Sequence, residues 1–198
     1  MTQQVTTRLT PSQTVGPFFL DCLLRENARR NVLAQPETVG ERIRIEGHVR
    51  DGDGAPVPDA LIEIWQANAF GRYHHPADLR ETAPLDPSFI GFGRSGADET
   101  GAFWFETVRP GRVPFNEDRM QAPHISVMVF ARGLLNHLAT RLYFADEPEN
   151  ATDPVLQLAP IERRGSMLAQ RQAPHGDFAV YHFDIVLQGQ RETAFLNL

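Results

Sequence analysis

One histidine stands at the mouth of an apolar run in this chain of 198 residues. In Q-A-P-H-I-S-V-M-V-F-A-R-G, Gln121–Gly133, the segment Ile125–Phe130 has the composition of a strand and His124 precedes it. A strand sends residues i and i+2 to the same face, so His124 and Ser126 project together from a rigid element beside a loop. Two histidines at that spacing would make half a metal site, because imidazole is a common metal ligand. Here the second position is a serine, and the segment alone favours a hydrogen-bonded histidine at a strand start. Tyr73, His74 and His75 form a second group of donors. Adjacent residues on extended chain face opposite ways, so the two histidines cannot easily chelate one ion. The acidic turn Asp51–Asp53 lacks the spacing and closing glutamate of a calcium loop and reads as a solvated turn. Cys22 is the single cysteine, so the chain has no internal disulfide; the residue reads as a small buried hydrophobe.

The elements that must position these residues are short and β-rich. From Glu41 the pattern has period two: Ile43, Ile45, Gly47 and Val49 alternate with Arg44, Glu46, His48 and Arg50, a half-buried strand. The turn D-G-D-G-A-P-V-P-D-A leads to a second strand, Leu61–Gln66. Residues 67–95 read as a long loop, and loops of that length in a compact domain are functional or interface-forming. Phe103 and Phe105 share a face of a third strand; further strands are expected over 125–130, 140–145 and 178–187, with short helices near 20–30 and within 153–170. Strand, Gly/Asp/Pro turn, strand predicts an antiparallel β-sandwich, mainly β with long loops. The first 40 residues are an arm and short helix, and 41–198 are the sandwich. In T-P-S-Q-T-V-G-P-F-F, Pro11, Gly16 and Pro17 preclude a long regular element, leaving an ordered loop or a flexible arm.

Composition excludes several classes. Hydrophobic residues make up 41% of the chain, enough for a sizeable core, and the length suits one large domain. A formal charge of −6 with interspersed signs argues against nucleic acid, which wants a basic face. No window approaches 18 apolar residues, and the first ten residues have no apolar signal core. With a single cysteine, that pattern points to the cytoplasm.

Three segments resemble the intradiol ring-cleaving dioxygenases: T-P-S-Q-T-V-G-P-F at Thr10–Phe18, A-L-I-E-I-W-Q-A-N-A-x-G-R-Y at Ala60–Tyr73, and Gln121–Gly133. T-R-L-Y-F at Thr140–Phe144 and Y-H-F-D-I-V-L-Q-G at Tyr181–Gly189 continue the likeness. The resemblance implies O₂-dependent opening of a dihydroxylated aromatic ring at a ferric ion held by two tyrosines and two histidines. Carried onto this chain, the first tyrosine is Tyr73 and the first histidine His124. The second tyrosine falls on Val113, the second histidine on Ser126, and an arginine near the metal on Gln121. Two of four ligands are too few for a defined site. The resemblance therefore implies an alpha-type chain, with Fe(3+) bound by a homologous beta chain in a hetero-oligomer.

In that reading Thr14, Gly16 and Pro17 line the partner's substrate pocket, and Arg132 stands at its mouth. There its charge attracts the carboxylate of 3,4-dihydroxybenzoate; a surface ion pair is the equal alternative for Arg132. The expected product is 3-carboxy-cis,cis-muconate. The N-terminal arm, loop 67–95 and Arg109–Arg119 are expected at or near the interface. Two other classes stay open: a single-chain iron enzyme for another hydroxylated aromatic, and a non-catalytic sandwich that binds a partner or sugar.

Overall fold

The alternation in Arg42–Arg50 builds the central strand. Ile43, Ile45, Gly47 and Val49 are buried, and the polar residues between them are only partly so, as a strand with one face on a core requires. A computed structural model describes residues 11–197 apart from 17 and 27. A short helix, α1 (Phe18–Leu23), comes first. The strands are β1 (Arg42–Arg50), β2 (Leu61–Trp65), β3 (Phe92–Gly96), β4 (Ala102–Val108), β5 (Val113–Pro114), β6 (Met120–Gln121), β7 (His124–Phe130), β8 (Leu138–Phe144), β9 (Leu168–Arg171), β10 (Ala179–His182) and β11 (Ile185–Val186).

Nine of these form one sheet, and β5 and β6 form a small separate hairpin. Strands β3, β2, β7 and β8 pair antiparallel in one half. Strand β1 centres the other half, between β4 on one side and β10 and β11 on the other. Strand β9 joins the halves, parallel to β8 and antiparallel to β10. Both halves line one core: Ile43, Phe105 and Tyr181 from one, and Ile62, Val127 and Phe144 from the other, belong to a single buried cluster. At about 1.5–3 kcal/mol for each large apolar side chain buried, this shared core is what holds the two halves together.

The mainly β sandwich expected from the alternation is therefore present, with differences of detail. The sheet is mixed, because β1–β10, β1–β11 and β8–β9 are parallel pairs. Parallel neighbours need long crossover connections, and residues 145–167 provide one. That crossover holds three 3₁₀ turns, Pro148–Thr152, Leu156–Leu158 and Arg164–Met167, where one helix was expected. Pro148, Pro154 and Pro160 deny a continuous α-helix its amide donors. The N-terminal helix lies earlier than 20–30 and is short. Cys22 is exposed on it rather than buried; Phe19 and Leu23 take the inward face. The expected loop 67–95 ends in β3, because Phe92–Gly96 finds a partner in β2 that only the fold supplies.

Candidate active site

The loop leaving β2 is organised by two buried amides. Gln66 donates to the carbonyls of Val108 (2.9 Å) and Ala67 (3.2 Å), and it accepts from the Thr107 hydroxyl at 2.9 Å. Asn68, 2% exposed, accepts from the backbone amides of Phe70 and Arg72, each at 3.0 Å, and donates to the Pro84 carbonyl at 2.9 Å. These bonds satisfy backbone groups that a buried loop would otherwise leave unpaired. Gly71 has φ +78°, and a side chain there would overlap the Arg112 carbonyl, so the loop can lie directly on Gly111 and Arg112. Two residues on, the Tyr73 amide donates to Asp78 Oδ2 at 2.8 Å, and the Tyr73 ring stacks on Trp65 with 5.8 Å between centroids. Arg80 grips Asp78 through both carboxylate oxygens, at 2.8 and 2.6 Å. Those bonds hold the Asp78 carboxyl well below its usual range, at about 2, and outweigh the opposing effect of burial.

The second wall is the β5–β6 hairpin and the start of β7. Val113 pairs with Gln121 across the hairpin. In β7, His124 faces Tyr143 and Ser126 faces Arg141 across the ladder with β8, while Trp65 faces Ser126 from β2. Of the positions for which ligands were expected, Tyr73 and Val113 line one cleft, while His124 and Ser126 share a face of β7, with Ser126 opposite Trp65 of the cleft wall. His124 is buried, and its Nδ1–H donates to the Ala122 carbonyl at 2.7 Å, which leaves Nε2 with the lone pair in the neutral ring. Burial, followed by the charge of Arg141, lowers its pKa to about 4. Burial also raises the Tyr73 phenol above its ordinary value, against the opposing charges of Arg141 and Arg80.

Arg141 is the residue that sequence reasoning missed. Its Nη1 donates to Gln121 Oε1 at 2.6 Å and to the Tyr143 hydroxyl at 3.3 Å, while its buried Nε has no partner among the described residues. Tyr143 passes the network on to Asp153, its hydroxyl donating to Oδ1 at 2.9 Å. A guanidinium therefore sits among Tyr73, His124 and Ser126. The signal was available, since T-R-L-Y-F carries Arg141. Only the strand register, however, places it opposite Ser126. A cleft of about 960 Å³ opens between Trp65, Tyr73, Val113 and Pro114, with the Arg80–Asp78 pair, His75 and Gln121 as polar groups. Such a cleft can hold a flat, largely apolar molecule with a polar group. His75 reaches this cleft and meets Trp65 edge-on at 6.4 Å, whereas His74 turns away to the Phe89 carbonyl at 3.1 Å.

The other expected site residues lie elsewhere. Thr14 Oγ1 accepts the Gly133 amide at 2.7 Å, and the Phe19 ring packs on Phe130 at 5.6 Å, so the arm docks on the far end of β7. Arg132 stands in that same turn, exposed and ion-paired with Asp59. Gly16 has open space around it, and Pro17 lies outside the described residues. From His124 to Phe130 the strand rises roughly 20 Å. The structure thus brings Thr14 together with Arg132, but a strand length away from Tyr73 and His124.

Comparison with known proteins bears on the same elements. Residues 15–189 match the sequence profile of a dioxygenase family. The chain is 42% identical to the protocatechuate 3,4-dioxygenase alpha chain of Burkholderia cepacia, over 98% of this chain and 99% of that one. To the beta chain from the same organism it is 38% identical, over 92% of this chain and 77% of that one. The dioxygenase domain of a carbohydrate-binding fusion protein from Streptomyces sp. SirexAA-E superposes with a TM-score of 0.63 at 27% identity, covering 81% of this chain and 88% of that domain. With the loop that presents Tyr73, the strand that presents His124 and the sandwich behind them all inside the matched span, the chain belongs to the intradiol ring-cleavage dioxygenase family.

Proposed function

We propose that this chain is the alpha subunit of a two-chain protocatechuate 3,4-dioxygenase, opening 3,4-dihydroxybenzoate with O₂ to give 3-carboxy-cis,cis-muconate. Its own metal position does not fit a ferric ion. Val113 has no donor atom, Ser126 offers a hydroxyl in place of imidazole, and Arg141 already places a positive charge among the remaining ligands. A second cation beside that guanidinium would be repelled and left with only Tyr73 and His124. The ferric ion belongs, in this reading, to a homologous beta chain, where it supplies the chemistry that makes the diol reactive toward O₂.

The observation that carries the proposal is the separation along β7. Thr14 and Arg132 meet at the end of the strand opposite His124, roughly 20 Å away, and Gly16 accepts from the amide of Phe19, which packs on Phe130 there. Residues so placed cannot wall this chain's own cleft. They can wall a pocket that another chain presents to that end. Pro17 and the rest of the arm through residue 40 are proposed to contact the partner, with residues 41–198 as the sandwich. Thr14, Gly16 and Pro17 offer shape, since backbone without a bulky side chain lets a flat ring approach closely; Arg132 offers charge to the substrate carboxylate. The test is purification with and without the neighbouring chain. The pair should carry one iron with a tyrosinate charge-transfer colour and cleave the ring, and this chain alone should do neither. Stoichiometric iron on this chain alone would sink the proposal.

A further inference from the structure

The reaction proposed above uses none of His48, His182 and Asp184, which the fold draws together from opposite ends of the sequence. Strands β1 and β10 run parallel with Glu46 opposite His182, so His48 lies on the same face one pleat further on. Beyond His182 the chain crosses tightly over Gly47. The Phe183 amide donates to the Glu46 carbonyl at 2.9 Å, and a side chain at position 47 would overlap the Phe183 carbonyl. That approach carries Asp184 to His48, whose backbone amide donates to Asp184 Oδ1 at 2.8 Å. His182 Nε2 stands 3.0 Å and His48 Nδ1 3.4 Å from the same oxygen. One donor atom from each residue lies within 4.8 Å of the other two.

Around a tetrahedral ion with bonds of about 2.0–2.1 Å, neighbouring donors are about 3.3 Å apart. Two of the separations here are already close to that, and small side-chain rotations close the third. The side chains are 34%, 36% and 42% exposed, open enough to admit an ion. Two imidazoles and one carboxylate select a borderline divalent transition ion over calcium or magnesium, which want oxygen shells. Burial alone would raise the Asp184 carboxyl, but the His48 amide and the His182 ring outweigh it and keep the group below its ordinary value, ready as a ligand. Glu46 on the same face and Asp98, close enough to feel His48, add negative charge; Arg44 is engaged by Glu46 and Glu106. The simpler account, an exposed histidine–aspartate pair, explains one contact at a time and is worth about 0–1 kcal/mol.

We infer that His48, His182 and Asp184 form a binding site for a divalent transition ion of the zinc class, with water completing its shell. The ion would clip β1 to the last strands of the chain and so add stability. The test is equilibrium dialysis of untagged full-length protein, with whatever subunit co-purifies, against Zn²⁺ alone. Wild type is expected to take up one more Zn²⁺ per chain than a His48→Gln/His182→Gln double variant, at micromolar affinity. Each single variant is expected to lose at least tenfold in affinity. Co²⁺ should give visible absorption bands in wild type that the double variant lacks. Asp184→Asn keeps an acceptor for the His48 amide, so it tests the ligand role apart from the fold, and weaker binding is expected. Equal Zn²⁺ uptake by wild type and double variant, or no uptake by wild type at hundred-micromolar Zn²⁺, overturns the site.

Discussion

Arg132 and Asp59 form a pair whose meaning a single substitution cannot decide, because removing the arginine removes both a charge and a clip. If Arg132 attracts the substrate carboxylate, Arg132→Ala in the assembled enzyme raises KM for 3,4-dihydroxybenzoate several-fold with kcat little changed, the pattern of lost uniform binding. The scale is about 1 kcal/mol or less for a screened charge, and the effect shrinks in high salt and for catechol. Asp59→Asn frees the cation and leaves KM unchanged or lower. Steady-state kinetics in which Asp59→Asn reproduces Arg132→Ala would make the pair structural. Two other residues contribute to the acid limb of stability, beside Asp86, Asp146 and Asp184, whose carboxyls are also held below their ordinary value. His124 is held at about 4 against an ordinary 6.5, so the unfolded chain takes the proton first. Its contribution is complete above about pH 6.5 and is lost as the pH falls to about 4, with a slope on the order of 1 kcal/mol per pH unit. Asp78, held at about 2 against 3.8, contributes above about pH 3.8 and loses that contribution as the pH falls toward 2. Urea midpoints against pH should show a shallower upper slope in His124→Gln and a shallower lower one in Asp78→Asn.

At the scale of elements, the loop that presents Tyr73 stands on Asn68. Asn68→Ala would orphan two backbone amides and one carbonyl, a cost of about 2–3 kcal/mol. It should lower the urea midpoint accordingly, and an effect under about 0.5 kcal/mol would show that water replaces the amide. The pairing of β7 with β8 sets a second expectation. Val113→Tyr with Ser126→His restores four ligand types around Tyr73 and His124, yet iron binding should stay weak because Arg141 lies across the ladder from position 126. Adding Arg141→Gln removes the competing cation and should tighten iron binding at least tenfold, read from the tyrosinate charge-transfer band during titration. Equal binding by the double and triple variants would remove Arg141 from the explanation.

At the scale of the molecule, several exposed apolar side chains lie on or beside the segments expected at an interface, while Leu158 and Ile161 stand exposed on the crossover. Phe18 on α1 is 77% exposed and Leu79 in the long loop 81%, and Phe115 and Met120 flank the turn of the β5–β6 hairpin. Large apolar groups left open in this way mark contact surfaces. Leu79→Glu with Phe115→Glu should weaken association with the proposed beta chain at least tenfold while leaving the circular dichroism of this chain unchanged. A wild-type chain that stays a monodisperse monomer at micromolar concentration, beside a beta chain active without it, would contradict the proposed pairing.

Much of this was legible in the order of residues. Period-two alternation located β1 and, through Phe103 and Phe105, β4, because burial on one face leaves a mark on every second residue; β2 and β7 showed as short apolar runs. The motif A-N-A-x-G-R-Y carried the family resemblance, and the fold shows why its types matter: Asn68 and Gly71 hold the loop's backbone. The substitutions at Val113 and Ser126 could be read from aligned segments alone. What the order of residues could not supply was partnership across the sheet. Parallel pairing of β1 with β10 and β11, β3 found within an apparent loop, and Arg141 set against Ser126 all depend on contacts between distant segments, to which local pattern is blind. The gathering of His48, His182 and Asp184 is of the same kind: it arises where Gly47 lets one strand's backbone pass against another, and only the folded chain brings those groups within reach of one another.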